Sequence, residues 1–343
     1  MIKMKNVGID LGTSTVKISC DKQEFLIPSL IGEPNPGWSG ATFDKSLEKN
    51  LVLIEGRDKY YIGELARMQS EVKRALASDG QMKSAEETFF AIKAALSLLL
   101  EDDDEEVVIA TGVPVATPIE SMKNLSKMLK GSLEVYVKND ATDESKRLNV
   151  NVKSCMVLPE PYGTYYKTLK DKGEETAVDT VIIDIGHGST DILTMYQGRP
   201  MRTASGSMRE ATDTLTSRMA KSLQDKTGSI IKPFDLMATI RKQKETVMIG
   251  GQTYSIKKIK RFYADQISKV MVDEVMRLIS NLPPDAFVEY YIICGGGAYT
   301  FGDAIREAII DKKLVASPEN VVIPDDPVLS NAVGFELVAN ARG

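Results

Sequence analysis

Two short segments of this sequence, about half the chain apart, follow the same plan, and this repetition limits the possible folds more than any other feature. Each has an apolar run ending in an aspartate, a turn of glycine and hydroxyl residues, and a second apolar run. They span residues 6–20, around Asp10, and residues 180–196, around Asp184. The pattern predicts a β-hairpin in each segment. Its recurrence predicts an internal duplication, with one hairpin in each of two related lobes.

The rest of the chain predicts an α/β fold. Its length of 343 residues favours two domains. Residues 84–100 have helical apolar spacing, and residues 107–110 predict a buried strand. Four further elements are predicted in the second half, namely helices at 209–223, 257–279 and 302–310 and a strand at 289–293. Helices and strands therefore alternate, as in α/β proteins.

Composition excludes several classes of function. A net charge of −5, from 43 basic and 48 acidic residues, argues against broad, direct nucleic-acid binding. The three cysteines are far apart and form no CxxC pair, which argues against disulfides and thiolate metal sites and fits a reducing cytoplasm. The most apolar helical run, residues 89–100, is too short to cross a bilayer. We therefore expect a cytoplasmic protein that contacts no membrane.

A single histidine restricts the chemistry further. Because His187 is the only one in the chain, a Ser-His-Asp triad or a histidine metal site could exist only around that position. Sites of these kinds commonly use more histidines than this sequence offers. We therefore do not expect either type of site.

The turns of the two hairpins have the composition of phosphate-binding loops. Backbone N–H groups bind phosphate where no side chain stands in the way. The candidate residues are Gly12, Thr13, Ser14 and Thr15 in the first turn, and Gly186, His187, Gly188, Ser189 and Thr190 in the second. Two such turns facing each other would clamp a polyphosphate. The alternative, two ordinary hairpins with polar tips, does not explain the repetition.

An aspartate near the end of the strand before each turn, one residue away from the turn's first glycine, predicts a metal ion. A carboxylate at the end of an apolar strand is costly unless it is paired, hydrated or near a cation. Mg²⁺ keeps several waters and takes few protein ligands, so we predict that Asp10 and Asp184 hold it largely through water. Lys17 would add a positive charge beside the phosphates. The chain has no GxxxxGK[ST] element and neither turn opens a helix, so a P-loop or Rossmann site is excluded.

With these motifs the sequence resembles the actin superfamily, which includes actins, heat-shock chaperones and sugar kinases. Five motifs occur in the family's order, namely a first phosphate motif at residues 7–13, a connecting motif at 158–161, a second phosphate motif at 183–190, an adenosine motif at 293–299 and a second connecting segment at 326–334. Further matches at residues 27–29, 61–66 with 69–70, and 111–114 resemble the ParM-like plasmid-segregation actins and archaeal actin homologues.

The resemblance implies a two-lobed actin-like ATPase fold with a central nucleotide cleft that binds ATP or GTP with Mg²⁺. Domain I would comprise residues 1–165 and 327–343, with an outer subdomain at about 26–75. Domain II would comprise residues 166–326, with an outer subdomain at about 228–256. The chain has no room for the substrate-binding domain of the chaperones.

The resemblance also implies roles for single residues. Glu160 occupies the position that orients the attacking water, although a glutamate there could instead only favour a helix dipole. Gly295, Gly296 and Gly297 would let adenine lie flat on the backbone, with Tyr299 as an apolar wall. The alternative for these glycines is a tight strand-to-helix turn. His187 either contributes backbone only or faces the phosphates, where protonation at mildly acidic pH would strengthen nucleotide binding.

The function implied is an ATPase that polymerises head to tail into filaments, for DNA or plasmid segregation or for intracellular scaffolding. Its partners would be further copies of itself and a DNA-binding adaptor protein. Because a fold alone does not fix a function, two alternatives remain, a small-molecule kinase and a non-polymerising regulatory ATPase.

Overall fold

A computed structural model describes residues 4–35, 42–76, 85–101, 105–174 and 178–342. The chain forms two compact units. Unit 1 comprises residues 1–167 and 329–343, and unit 2 comprises residues 168–328. These divisions fall two residues after the boundaries at 165 and 326 that the family resemblance implies.

The described strands and α-helices are numbered separately in chain order. The strands are β1 (Lys5–Leu11), β2 (Thr15–Cys20), β3 (Gln23–Pro28), β4 (Leu30–Gly32), β5 (Leu51–Glu55), β6 (Asp58–Ile62), β7 (Lys73–Ala75), β8 (Glu106–Val113), β9 (Gly131–Asn139), β10 (Ser145–Pro159), β11 (Thr180–Ile185), β12 (Thr190–Tyr196), β13 (Arg199–Pro200), β14 (Gly206–Met208), β15 (Thr246–Ile249), β16 (Gln252–Ser255), β17 (Tyr290–Cys294) and β18 (Val321–Val322). The helices are α1 (Glu64–Gln69), α2 (Ala85–Leu99), α3 (Ile119–Leu129), α4 (Tyr162–Lys172), α5 (Thr212–Thr227), α6 (Pro233–Arg241), α7 (Lys257–Ile279), α8 (Ala298–Asp311) and α9 (Ser330–Arg342).

One sheet runs through unit 1, in the order β3-β2-β1-β8-β10-β9-β5-β6-β4-β7. The long strand β10 connects its two parts, because its first half pairs antiparallel with β9 and its second half pairs parallel with β8. Strands β1, β8 and β10 are parallel neighbours, so their carboxyl ends lie at one edge of the sheet. The strands within residues 26–75 thus belong to the same sheet as the first hairpin.

The core of unit 1 contains the helix predicted at residues 84–100. Helix α2 covers Ala85–Leu99, and its buried residues Ile92, Leu96 and Leu99 join the core formed by β1, β2 and β8. The apolar spacing at i, i+4 and i+7 gives this helix a continuous buried face. Ser84, where the prediction began, lies outside the described residues.

Unit 2 contains a smaller sheet in the order β13-β12-β11-β17-β18, with β14 also pairing with β12. Helices α5, α7 and α8 supply much of its apolar core. A separate hairpin, β15–β16, turns at Gly250 and Gly251, which have φ angles of 55° and 79°. Positive φ at two successive residues favours glycine, so this pair suits a tight turn.

The arrangement around each predicted hairpin is the same. Strands β1 and β2 form an antiparallel hairpin, and β1 has β8 as its parallel neighbour. Strands β11 and β12 form the second hairpin, and β11 has β17 as its parallel neighbour. The predicted two-lobed α/β fold, with a related hairpin in each lobe, is confirmed.

Two predicted helix starts were wrong. Helix α5 begins at Thr212 instead of 209, because residues 206–208 pair with β12 as strand β14. Helix α8 begins at Ala298 instead of 302, since the N–H groups of Thr300 and Phe301 already donate to the Gly297 carbonyl.

No α-helix in the described part of the chain is both long and apolar enough to cross a membrane.

Candidate functional site

The first hairpin holds its aspartate in an ion pair. Asp10 is the penultimate residue of β1 and lies directly opposite Lys17 of β2. The Lys17 ammonium donates to Asp10 Oδ2 at 2.8 Å, and the two side chains are 16% and 4% exposed. A nearly buried carboxylate needs such a partner, because burying an unpaired charge is costly. The lysine predicted to lie beside the phosphates is therefore also the counter-ion of Asp10.

The first turn requires a glycine at its start. A Cβ atom at Gly12 would lie 2.7 Å from the Thr15 carbonyl oxygen and 2.9 Å from Lys17 Nζ. Contacts that close are repulsive. The turn is also tied to the sheet, since the Ser14 carbonyl accepts a hydrogen bond from the Ser29 N–H at 3.0 Å.

Glu160 lies at the same sheet edge as Asp10. It follows the end of β10, and Asp10 stands at the end of β1, with β8 running parallel between those two strands. The Glu160 N–H donates to the carbonyl oxygen of Val113, the last residue of β8, at 2.8 Å. Ligands of α/β proteins commonly bind at the carboxyl ends of parallel strands. Unit 1 therefore presents two carboxylates and a glycine turn at one such edge.

The second hairpin has the same backbone plan but a different charge. Asp184 is the penultimate residue of β11, and the residue directly opposite is Asp191 of β12. Asp191 is 5% exposed, and its Oδ1 accepts a hydrogen bond from the Ser207 hydroxyl. Carboxylates at directly opposite positions repel each other. This hairpin thus concentrates negative charge where the first contains an ion pair.

The donor set in unit 2 fits a hydrated divalent cation. Asp184 and Asp191 supply carboxylate oxygens, which Mg²⁺ prefers. Within the described ranges, no group of three or more His, Cys, Asp or Glu residues could enclose a metal ion. Two opposed carboxylates without a full set of ligands suit an ion that keeps most of its waters.

The second turn is anchored on a helix. A Cβ atom at Gly186 would lie 2.9 Å from the Ser189 carbonyl oxygen, which the Gly186 N–H itself binds at 2.9 Å. The Gly186 carbonyl accepts from the Thr212 hydroxyl at 3.0 Å, and the His187 carbonyl accepts from the Asp213 N–H at 2.9 Å. Thr212 and Asp213 begin α5, so the first turn of that helix holds the loop in place.

One ring nitrogen of His187 has no hydrogen-bond partner within the described part of the chain. This nitrogen, Nδ1, is buried. The Thr190 hydroxyl donates to the Glu210 carbonyl at 2.6 Å, so its hydrogen already takes part in a hydrogen bond within the protein. A contact of His187 with phosphate stays a prediction.

The three glycines after β17 have different surroundings. A Cβ atom at Gly295 would overlap Asp184 Oδ1, and one at Gly297 would overlap the Ile185 side chain. At Gly296 a Cβ atom would meet nothing within 4 Å in the described structure. Gly295 and Gly297 therefore serve the packing of this turn on β11, as the tight-turn alternative requires. Gly296 is the position where the missing side chain leaves open space.

Tyr299 lies in the first turn of α8, next to these glycines. Its side chain is half exposed. Desolvation raises the pKa of its hydroxyl, and the charge of Asp326 adds to that effect. An aromatic ring with one open face at this place can form a wall for a ligand.

Residues just after the first connecting motif contact the second connecting segment within unit 1. The Thr164 N–H and hydroxyl both donate to Asn331 Oδ1, at 2.9 and 2.7 Å, and all three groups are buried. A Cβ atom at Gly334 of α9 would overlap the Gly163 carbonyl of α4. Two glycines thus allow α4 and α9 to pack closely, and buried hydrogen bonds fix their register.

Two residues of interest were not predicted from the sequence. Asp191 was missed, although it follows Asp184 by the same interval at which Lys17 follows Asp10. Extending the repeat through both second strands would have found it. Gly112 lies within the family motif at residues 111–114, and its close approach to Glu160 is visible only in the three-dimensional structure.

Comparison with known families now defines the class of this two-domain α/β protein. The family described as the N-terminal domain of actin-like proteins matches residues 8–163. The family described as the C-terminal domain of the archaeal, MreB-like actin homologues matches residues 182–307. The chain therefore belongs to the actin superfamily. A comparison with curated proteins finds no match.

Solved structures show the same fold along the whole chain. An archaeal actin homologue, Ta0583, in complex with ADP is 21% identical, with a TM-score of 0.75 over 99% of this chain and 100% of that one. A subunit of a 15-stranded ParM filament from Clostridium botulinum is 19% identical, with a TM-score of 0.73 over 99% of each chain. ParM from Bacillus thuringiensis with AMPPNP is 17% identical, with a TM-score of 0.69 over 98% and 99%. At these identities the likeness concerns the fold.

Proposed function

We propose that this protein is an actin-like ATPase that binds Mg–ATP, hydrolyses it and polymerises into filaments. The observation that carries the proposal is the pair of like-built hairpins, each with an aspartate at the end of a buried strand and a glycine turn directly after it. Membership of the actin superfamily supports the same function. The ADP bound to the archaeal homologue and the filament of the Clostridium botulinum protein support it further.

Both turns would bind the phosphates of one nucleotide. Residues 12–15 and 186–190 would contribute backbone N–H groups and hydroxyls, and Lys17 would contribute charge. Asp10, Asp184 and Asp191 would hold Mg²⁺ through its waters. The ion would neutralise charge on the β- and γ-phosphates.

In this proposal, Glu160 orients the water that attacks the γ-phosphate. A carboxylate can accept the water's proton or polarise it for in-line attack. Gly296 would leave room for the base, with Tyr299 beside it. Replacing Glu160 should therefore block cleavage while leaving nucleotide bound, and filaments of such a variant should persist.

Binding of the γ-phosphate would favour the conformation that assembles into filaments. A ligand shifts a conformational equilibrium only by its differential affinity for the two states, and a γ-phosphate bound by both turns would supply that difference. A head-to-tail contact joins two different surfaces of the subunit, so repetition without closure gives an open filament. We propose that the filament serves DNA or plasmid segregation, through a DNA-binding adaptor, or intracellular scaffolding.

Sedimentation and light scattering test the filament directly. Protein across the micromolar range would be incubated with Mg²⁺ and ATP, a non-hydrolysable ATP analogue, GTP or ADP. We expect a critical concentration that is lower with ATP or its analogue than with ADP, because hydrolysis should favour disassembly. The GTP arm determines the base preference.

The absence of sedimentable polymer with every nucleotide and at every salt concentration would contradict the filament proposal. A screen for ADP production with and without small hydroxylated substrates would then separate the two alternatives. Substrate-dependent ADP release would indicate a kinase, and substrate-independent release would indicate a regulatory ATPase.

A further inference from the structure

Gly112 occupies an unusual position for a glycine. It is buried near the end of β8, in the interior of the sheet of unit 1, and pairs with Leu158 of β10. The preceding residue, Thr111, fixes the strand by donating its hydroxyl hydrogen to the Ile9 carbonyl at 2.8 Å. Glycine weakens a strand interior and often marks a place where another backbone approaches closely.

The group that approaches Gly112 is Glu160. A Cβ atom at Gly112 would lie 2.9 Å from both Cα and Cγ of Glu160, and 2.9 Å from Cζ of Phe335. Carbon atoms pack at about 3.5–4.0 Å, so a side chain at this position would displace at least one neighbour. Phe335 is fully buried in α9, which limits movement on that side. Glu160 is held at its own N–H by Val113, so its Cα is pinned against Gly112.

We propose that Gly112 is a positioning residue whose missing side chain sets the place of the Glu160 carboxylate. The inference rests on the proposed role of Glu160 in hydrolysis. An alanine at 112 would push the Glu160 backbone and the first carbons of its side chain away from β8. Catalysis depends steeply on such placement, and a shift of about 1 Å in a catalytic group can cost about a hundredfold in rate.

The test is a double-mutant cycle between Gly112→Ala and Glu160→Gln. We expect Gly112→Ala to lower kcat for ATP hydrolysis about tenfold to a hundredfold, with the Kd for ATP within about threefold of wild type. In the Glu160→Gln background, Gly112→Ala should cause no further loss, because the group that it displaces is already inactive.

A crowding control comes from Gly302 in α8. A Cβ atom there would lie 2.8 Å from Cδ1 of Ile323, the far end of a flexible side chain. Gly302→Ala should leave kcat unchanged. If Gly112→Ala alone does not fold, Phe335→Leu removes the ring tip on the α9 side, and the same cycle is run in that background.

The positioning role would be overturned if Gly112→Ala had the kcat of the wild type. It would also be overturned if Gly112→Ala lowered kcat by the same factor in the wild type and in Glu160→Gln. Either result would leave the ATPase proposal intact. Wild-type kcat in Glu160→Gln, or no hydrolysis by the wild type, would instead overturn the role of Glu160 and the inference about Gly112 with it.

Discussion

The two hairpins share a backbone plan and differ in the residue opposite the aspartate. In the first, Lys17 pairs with Asp10, so the strand ends carry no net charge. In the second, Asp191 faces Asp184, so two carboxylates stand together. One duplicated hairpin can therefore carry two different arrangements of charge. The first hairpin neutralises its own carboxylate, and the second presents a pair of carboxylates that attracts a cation more strongly.

The largest expected difference between the hairpins concerns stability without ligand. Lys17→Met leaves the buried Asp10 without its counter-ion and should lower the free energy of unfolding by about 2–3 kcal/mol, less than for a fully buried pair because Lys17 is partly exposed. Asp191→Asn keeps an acceptor for Ser207 and replaces the carboxylate by a neutral amide, so it should change the free energy of unfolding by less than about 1 kcal/mol. Denaturant unfolding of both variants, without nucleotide or Mg²⁺, measures the difference. If both variants lost the same free energy of unfolding, the charge of the residue opposite the aspartate would not distinguish the hairpins.

The smallest expected difference concerns the turn glycines. Gly12→Ala and Gly186→Ala bring a Cβ atom to 2.7 and 2.9 Å of a carbonyl oxygen in the same turn. Each substitution should lower the free energy of unfolding by about 1–3 kcal/mol because it overpacks the turn, and the two decreases should agree within about 1 kcal/mol. Gly296→Ala, where a Cβ atom meets open space, is the matched control and should be nearly neutral. A large cost for only one of the two turns would show that the backbones are not equivalent.

The sequence predicts the hairpins well because their signals are local. Apolar strands, a small turn and a second strand lie within about 15 residues, and hydrogen bonding between neighbours follows directly. The same reasoning failed at the start of α8. There Gly297, Tyr299 and Thr300 do not form a strong helical pattern, and the helix begins because Ala298 and Phe301 are buried in the core of unit 2.

The sequence predicts only those site residues that lie in motifs of the actin superfamily. Asp10, Asp184 and Glu160 stand in recognisable motifs, but the ion pair of Lys17 with Asp10 depends on strand register. The close approach of Gly112 to Glu160 and Phe335 joins distant parts of the chain, which no local pattern encodes. The different surroundings of Gly295 and Gly296 likewise depend on the neighbouring strand β11.

The Mg²⁺ dependence of nucleotide binding tests the proposed nucleotide site most directly. Titration calorimetry would measure the Kd for ATP of the wild type and of Asp184→Ala, each with Mg²⁺ and with EDTA, after circular dichroism has shown that both are folded. We expect Mg²⁺ to tighten ATP binding by the wild type at least about tenfold, or about 1.4 kcal/mol, and we expect Asp184→Ala to lose this dependence. Equal affinity of the wild type in Mg²⁺ and EDTA, or an undiminished Mg²⁺ effect in Asp184→Ala, would contradict the proposed metal site.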